Sequence, residues 1–298
     1  MCIRDRVKQN KPIVWTMHDM WPCTGICHHA RDCEKFQTEC ESCFFLKSKG
    51  KDLSTSVFDK KMSLYKDANI TFVGCSRWLS GRAKKSYLLR GKAVLSIPNP
   101  IDTKVYHPMD QGMARELLGL PSGKRLLLFG ALNVTDKRKG IDYLIEALRR
   151  MEKQDVELVV FGQVKDDIRG LFPVPIHSMG YLSDESKIVA LYNAVDMFIT
   201  SSLEENLPNT IMESMACGTP CVGFEIGGIP EMIDHRVNGY VANYKDAGDL
   251  ANGIQWVLEH EDRLALSDAC VKKVQENYTE EVVAKQYTAL YEKLLKGE

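Results

Sequence analysis

The sequence lacks an excess of charge of either sign. Among 298 residues, 39 Lys and Arg stand against 40 Asp and Glu, which gives a formal net charge of −1. So balanced a chain has no general basic field, and we expect no nucleic-acid partner. It also lacks an apolar run long enough to span a bilayer. Internal repeats and low-complexity tracts are missing too, so the sequence predicts two modest globular domains or one large one.

The first residues lack the apolar central region of a secretory signal peptide. Ten cysteines without such a signal indicate a reducing compartment rather than a disulfide framework. We therefore expect a cytoplasmic protein, with the inner face of the plasma membrane as a candidate location.

The most informative stretch is 201–223, which follows a short apolar run that predicts a buried strand. Pro208 suits the first position of a helix, and the N-terminus of a helix favours an anion such as phosphate. Glu205 precedes this helix and Glu213 lies five residues into it, roughly 7–8 Å along its axis. Carboxylates accept hydrogen bonds from paired sugar hydroxyls. The stretch therefore suits a nucleotide sugar, with its hexose, diphosphate and ribose.

The residues around the two glutamates indicate the function more specifically than the spacing of the glutamates does. That spacing arises often by chance in a chain with 27% charged residues. Glu205-x7-Glu213 is followed by Ser-Met-Ala-Cys-Gly-Thr-Pro-Cys-Val and then by Gly227-Gly-Ile-Pro-Glu231. This text resembles the donor-site signature of family 4 glycosyltransferases, and the resemblance extends over about residues 12–291. It implies an α/β protein with the GT-B fold, in which two Rossmann-like lobes face each other across a cleft.

The alternation of strand and helix patterns agrees with that fold class. From Lys124 onwards the alternation predicts a parallel sheet with right-handed crossovers. The resemblance implies a partial acceptor-side lobe with a Cys-rich loop at 1–107, a nucleotide-sugar-binding lobe at 108–275, and a helix at 276–298 that returns to the first lobe. Members of the family have several more strand–helix units and a Gly-rich loop before the first strand found here. We therefore expect an N-terminally truncated chain with an incomplete first lobe.

The resemblance also implies which residues bind the donor. Lys139, directly before Gly140, matches the lysine that binds the leaving phosphate, whereas Asn133 stands where the family has an arginine. Lys137 or Arg138 could compensate for that missing arginine. The turn after the strand at 175–180 matches the turn that holds the nucleobase. The expected donor-binding residues are Asn99, Arg138, Lys139, Gly180, Tyr181, Leu182, Glu205, Asn206, Leu207, Pro208, Asn209 and Glu213.

His18 ends the first predicted strand, where open α/β sheets place ligands. A structural loop histidine is the alternative interpretation. The resemblance places this residue near the transferred sugar. We therefore predict His18, Lys139 and Glu205 as the catalytic residues.

Four cysteines follow at the spacing C-x5-C-x6-C-x2-C: Cys27, Cys33, Cys40 and Cys43. The final pair has the spacing of a zinc half-site, and the first two could supply the other half. We hypothesise a structural zinc here, with His28 as a substitute ligand. The alternative is a cluster of reduced thiols packed in a loop. No cofactor is expected to be required for catalysis.

A basic run occupies the predicted helix at 76–87 and the residues after it. Most basic runs of this kind lie on the solvent-exposed face of a helix. Contact with a membrane surface is the alternative. Its members are Arg77, Arg82, Lys84, Lys85 and Arg90.

The functional expectation is a retaining glycosyltransferase that moves a hexose from a UDP- or GDP-sugar to a sugar or polyprenyl-linked acceptor in polysaccharide biosynthesis. Its partners would be that donor and a glycan or lipid-linked acceptor. Two alternatives stay open: a sugar-nucleotide epimerase on the same fold, and a non-catalytic nucleotide-binding fragment.

Overall fold

The computed structural model describes residues 11–133, 136–151, 155–163 and 169–297. The chain divides into two compact units. The first unit runs to Asn99 and takes up the chain again from Val283, and the second unit is Pro100–Val282. The sequence had placed these boundaries near 107 and 276.

The first unit contains a parallel three-stranded sheet in the order β1-β2-β3. All five residues of β2 are buried, as befits the central strand. Two helices and three 3-10 turns connect the strands, and the turns lie at 21–23, 35–37 and 87–89. The elements are β1 Ile13–Met17, α1 Leu53–Tyr65, β2 Ile70–Gly74, α2 Arg77–Lys84 and β3 Ala93–Ser96.

The final helix stabilises this sheet. From Val283 onwards it belongs to the first unit, where Val283 and Leu290 form a core cluster with Val73 and Ile97. The hydroxyls of Tyr287 and Thr16 are hydrogen-bonded at 2.9 Å. The strands and the helix are far apart in the sequence, so the first unit is complete only when both ends of the described chain have come together.

The second unit contains a parallel six-stranded sheet in the order β6-β5-β4-β7-β8-β9. The strands are β4 Arg125–Asn133, β5 Val156–Gln163, β6 Ile176–Gly180, β7 Met197–Thr200, β8 Cys221–Phe224 and β9 Gly239–Ala242. The helices that begin in it are α3 Gln111–Leu118, α4 Ile141–Arg150, α5 Glu185–Ala194, α6 Asn209–Ala216, α7 Ile229–Met232, α8 Ala247–Leu258, α9 Arg263–Asn277 and α10 Glu280–Lys296.

The core of the second unit lies around β4 and β7, whose neighbours cover both faces. Leu126, Leu127 and Leu128 are fully buried on consecutive positions of β4. Successive side chains of a strand point to opposite faces of the sheet, so consecutive residues are all buried only when both faces are covered. This explains the continuous apolar run of β4. On one side, α4 and α8 pack against each other and share the core cluster with the strands. The predicted α/β class with parallel sheets is confirmed.

Most predicted elements are present, with ends displaced by one to three residues. Ser76 caps α2, because its Oγ accepts a hydrogen bond from the N–H of Leu79 at 2.9 Å. That helix ends at Lys84, and the chain then enters a 3-10 turn, so the predicted extension to residue 87 is wrong. Pro208 is the N-cap of α6 rather than its first residue. In the part of the chain that the structure describes, no helix is long and apolar enough to cross a membrane.

Candidate functional site

The candidate site of the second unit lies where its sheet changes direction. After β4 the chain builds β5 and then β6 outward, and it returns through α5 to place β7 on the other side of β4. All six strands are parallel, so their carboxyl ends share one edge. In open α/β sheets ligands bind outside this edge at the switch point, which is here between β4 and β7.

The loops that follow β4 and β7 bring Lys139 and Glu205 together. Lys139 Nζ lies 2.5 Å from Glu205 Oε1. Their side chains are 32% and 14% exposed, so the pair is partly withdrawn from water. An ion pair at this depth is held more firmly than an exposed one, yet a ligand can still reach both groups. Two residues that the sequence analysis assigned to donor phosphate and donor sugar are thus direct neighbours.

Backbone contacts fix the register of the two loops. The N–H of Leu203 donates to the carbonyl of Arg138 at 2.7 Å, and Ser201 Oγ donates to the carbonyl of Lys139 at 3.0 Å. Gly140 has φ +64°, and a Cβ there would lie 2.0 Å from the carbonyl oxygen of Ser201. Only glycine fits so close an approach. This explains physically why a glycine must follow Lys139.

Arg138 is held differently from Lys139. Its Nη2 lies 2.6 Å from Asp136 Oδ2, and its Nε also contacts that carboxylate at 3.0 Å. The guanidinium lowers the pKa of Asp136, and the carboxylate in turn raises the pKa of Arg138. The side chain of Arg138 is 59% exposed. Sequence reasoning missed Asp136, which competes with any phosphate for this guanidinium.

Glu213, the second carboxylate of the signature, lies half-buried on α6. Its Oε2 accepts a hydrogen bond of 2.7 Å from the hydroxyl of Tyr192, which is fully buried on α5. Burial raises the pKa of Glu213; the Tyr192 hydrogen bond opposes this rise, and the charge of Glu185 adds to it. Tyr192 was not predicted, because in the sequence it is one more apolar position of a buried helix face.

The loop between β7 and α6 rests on the Gly227–Gly228 turn. Gly227 has φ +59°, and a Cβ there would lie 2.0 Å from the carbonyl oxygen of Glu205. The N–H of Gly228 donates to the carbonyl of Asn206 at 2.6 Å. The turn thereby fixes the backbone on which the Glu205 side chain stands. Of the other predicted residues here, Asn206, Leu207 and Pro208 are buried and Asn209 is exposed.

The predicted base-binding turn ends β6, two strands from β4. Gly180 has φ +64°, which favours glycine, and Tyr181 after it is 62% exposed. Leu182 is half-buried. The turn lies on the same edge of the sheet as the Lys139–Glu205 pair, because the strands are parallel.

The predicted site residues of the first unit follow its strands. His18 comes directly after β1 and is exposed. Asn99 comes three residues after the end of β3 and is half-buried. Their assigned roles in donor binding and catalysis stay predictions.

The zinc hypothesis finds no support. Within residues 11–133, 136–151, 155–163 and 169–297, no group of three or more His, Cys, Asp or Glu side chains could hold a metal ion, and this covers Cys27, Cys33, Cys40 and Cys43. Cys40 Sγ accepts a hydrogen bond from the N–H of Gly25 at 3.3 Å, and burial raises its pKa to about 11. His28 Nδ1 lies 2.7 Å from Asp19 Oδ2. All four cysteines are free, which fits the alternative of reduced thiols.

A buried lysine holds the Cys-rich loop through three backbone carbonyls. Lys61 on α1 is 5% exposed, and its Nζ donates to the carbonyls of Trp21, Thr24 and Gly25 at 2.5, 2.9 and 3.0 Å. The ammonium also lies 3.5 Å from the ring centroid of Trp21, a cation–π contact. Burial lowers the pKa of Lys61 to about 8. Sequence reasoning missed this residue, since a lone lysine in a helix usually faces solvent.

Known proteins similar to this chain include several that are named as glycosyltransferases. Residues 123–260 match the family model of glycosyl transferases group 1. The N-acetyl-alpha-D-glucosaminyl L-malate synthase of Bacillus anthracis is 24% identical over 213 residues, which is 70% of this chain and 55% of that protein. An N,N'-diacetylbacillosaminyl-diphospho-undecaprenol alpha-1,3-N-acetylgalactosaminyltransferase of Campylobacter jejuni is 33% identical over 118 residues, or 39% of this chain and 31% of that protein.

Solved structures agree at the level of the fold. Sucrose-phosphate synthase from Thermosynechococcus elongatus has a TM-score of 0.74 at 20% identity, over 98% of this chain and 71% of that one. Anabaena HepE in complex with UDP-glucose has a TM-score of 0.70 at 17% identity, over 94% and 72%. The chain shares the GT-B fold with these structures, and its segment 123–260 is similar to glycosyl transferases group 1, the kind of protein that the sequence predicted. The chain spans about half the length of the curated relatives it matches.

Proposed function

We propose that this chain carries the donor site of a retaining glycosyltransferase that moves a hexose from a nucleotide sugar to a glycan or polyprenyl-linked acceptor. The observation that carries the proposal is the Lys139–Glu205 pair at 2.5 Å, placed at the switch point of the second unit's sheet. A cation suited to a diphosphate and a carboxylate suited to sugar hydroxyls lie side by side there. The diphosphate and the sugar are the two groups that the bond to be broken joins.

Donor binding would exchange the ion pair for contacts with the ligand. The diphosphate would take the ammonium of Lys139, and the hexose hydroxyls would donate to the carboxylate of Glu205. Each charge thereby keeps a partner, so opening the pair leaves neither charge alone in a partly dry site. A ligand that supplies only one of the two partners would strand the other charge. The pair would in this way select for a sugar diphosphate over a bare sugar.

Glu213 would hold the ribose hydroxyls. One of its oxygens already accepts from Tyr192, and this hydrogen bond orients the carboxylate before any ligand arrives. The turn at Gly180–Leu182 would hold the nucleobase. HepE was solved with UDP-glucose and with UDP, which supports the inclusion of UDP-sugars among the donors to be tested.

The transfer step would depend on electrostatic stabilisation of the leaving group. As the bond from the anomeric carbon to the diphosphate oxygen breaks, negative charge grows on that oxygen, and Lys139 would stabilise it in the transition state. The acceptor hydroxyl would attack on the face that the diphosphate leaves and would give its proton to the leaving diphosphate oxygen, which retains the anomeric configuration. His18 stays the predicted catalytic residue of the first unit. The Campylobacter relative is named for an undecaprenol-linked acceptor, which supports testing polyprenyl-linked acceptors.

The test is incubation of the purified chain with UDP- and GDP-hexoses and a panel of glycan and polyprenyl-phosphate acceptors. The expected products are a glycosylated acceptor and a free nucleoside diphosphate. An altered sugar nucleotide without acceptor would instead indicate an epimerase. Binding without turnover would indicate a donor-binding fragment. A thermal-shift series with the same donors identifies the base, since only a ligand that binds the folded state raises the melting temperature.

A further inference from the structure

An exposed apolar segment interrupts the polar surface of the first unit. Phe44, Phe45 and Leu46 are consecutive and are 47%, 45% and 39% exposed, and Leu53 nearby in the sequence is 60% exposed. Single exposed apolar residues are ordinary, but three in a row that include two aromatic rings are not. We call residues 43–53 the aromatic tip.

Hydrogen bonds and unusual backbone angles hold the aromatic tip in place. At its base the N–H of Ser42 donates to the carbonyl of Gly50, and the N–H of Gly50 donates to Ser42 Oγ, both at 2.8 Å. Ser42 and Lys47 have φ of 47° and 51°, a region that side chains other than glycine rarely adopt. Such angles persist only where the surrounding structure holds them, and they are frequent at binding and active sites.

The charges of the aromatic tip are mainly positive. Lys47, Lys49 and Lys51 are all exposed. The one acid of the tip, Asp52, is occupied by the structure itself: its carboxylate accepts from the N–H groups of Cys43 and Ser54, both at 2.8 Å, and from the hydroxyl of Ser48. These hydrogen bonds, the Cys43 N–H first, lower the pKa of Asp52. The acid therefore caps α1, and the three lysines stay available to a partner.

Two further cations lie at the margins of the aromatic tip. The guanidinium of Arg31 lies 5.6 Å from the centroid of the Phe45 ring. Lys35 Nζ donates to the carbonyls of Glu41 and Ser42, at the base of the tip, at 3.0 and 3.1 Å. The acids Glu39 and Glu41 precede the tip in the chain, so the positive character belongs to the tip rather than to the whole loop.

We propose that the aromatic tip docks on an anionic phospholipid surface. Phe44, Phe45 and Leu46 would enter the boundary between headgroups and acyl chains. The lysines would keep their ammonium groups among the lipid phosphates while their methylene stems follow the rings inward. Charge complementarity favours this occupant, because exposed apolar side chains followed by three exposed lysines match an apolar layer bounded by anionic headgroups.

The experiment is co-sedimentation of the full chain with two kinds of vesicle at low ionic strength. One kind is pure phosphatidylcholine, and the other contains phosphatidylglycerol in addition. We expect binding to the anionic vesicles only. Each lysine removed lowers partitioning about fivefold, the factor for one basic residue near an anionic surface. Replacing both rings lowers it at least about tenfold.

The variants separate the aromatic tip from other surfaces. The test variants are Phe44→Ser/Phe45→Ser and Lys47→Glu/Lys49→Glu. The matched controls are Leu264→Ser, which removes a 71% exposed apolar side chain of the second unit, and Lys84→Glu/Lys85→Glu, which reverses two exposed charges of the basic run. Melting temperatures establish that each variant is folded, and the charge variants keep the test decisive if the ring variant is not.

Loss of vesicle binding in both test variants, with both controls unchanged, supports the proposal. The proposal is overturned if the wild type does not bind anionic vesicles, or if the Lys84/Lys85 variant loses binding while the tip variants keep it. It is equally overturned if the ring variant changes the oligomeric state of the protein and not its vesicle binding, because the tip would then be covered by a second copy of this chain. None of these outcomes depends on the donor site.

Discussion

If Glu213 holds the ribose as proposed, nucleotide affinity depends on pH, and two mutations near Glu213 shift that dependence in opposite directions. Glu213 accepts from ribose hydroxyls most strongly when it is ionised, because hydrogen bonds to a charged acceptor are the stronger ones. Burial and the charge of Glu185 raise its pKa, whereas the Tyr192 hydroxyl lowers it. Tyr106 and Cys217 also face this carboxylate, and burial holds both in their neutral forms by raising their pKa values. Nucleotide affinity is therefore present above the pKa of Glu213 and is lost as the pH falls through it.

Removing the hydroxyl with Tyr192→Phe deletes the group that stabilises the ionised form, so affinity is lost at a higher pH than in the wild type. Removing a negative neighbour with Glu185→Gln has the reverse effect, and affinity persists to a lower pH. Glu213→Ala removes the ribose contact itself. A hydrogen bond to a charged group is worth about 1.5–3 kcal/mol, so this variant binds nucleotide about ten- to 150-fold more weakly at neutral pH.

The assay is calorimetric titration of UDP and GDP into each variant over a range of pH. We expect the pH at which half of the affinity is lost to be lowest for Glu185→Gln, intermediate for the wild type and highest for Tyr192→Phe. Identical profiles for all three, with Glu213→Ala still weakened, would show that Tyr192 serves only the packing of α5. Unchanged affinity in Glu213→Ala would instead remove Glu213 from the donor site. The two failures are therefore distinguishable.

Three further predictions follow from the contacts of Lys139, Lys61 and Cys40. Lys139→Ala lowers kcat more than it raises KM, because charge on the diphosphate grows towards the transition state. A raised KM with normal kcat would contradict this role. Lys61→Met lowers the unfolding free energy by about 1–3 kcal/mol, because it leaves buried carbonyls without a donor. The wild type gains stability between about pH 8 and 10.5, where the unfolded chain still binds a proton that folded Lys61 has released, and the variant lacks this gain. Elemental analysis of protein purified without added metal finds no stoichiometric zinc, and one zinc per chain would restore the zinc hypothesis for Cys27, Cys33, Cys40 and Cys43.

Several features of this protein were determined by local sequence alone. Periodicity and turn residues predicted most strands and helices, because burial on one face or on both imposes a pattern that neighbouring residues share. The stretch around Glu205 and Glu213 predicted a strand, a loop and a helix that suit a nucleotide sugar, and its flanking residues carry the resemblance to glycosyltransferases. Two short elements, α7 and β9, escaped this reasoning, whereas the equally short β7 was predicted from its continuous apolar run.

The partners of the site residues were decided only by the tertiary structure. Lys139 and Glu205 are 66 positions apart and meet because β7 returns to the side of β4, which no local pattern records. Tyr192 finds Glu213 because α5 and α6 pack together. The cysteine spacing allowed a metal site or packed thiols. In the fold, Cys40 is buried against Gly25 and the ammonium of Lys61 lies among three carbonyls of the loop, two contacts that the spacing does not record. Side chains that are remote in the chain come into contact only when the strands and helices that carry them pack side by side. Such contacts therefore depend on the order of the strands in the sheet, which local sequence patterns do not record.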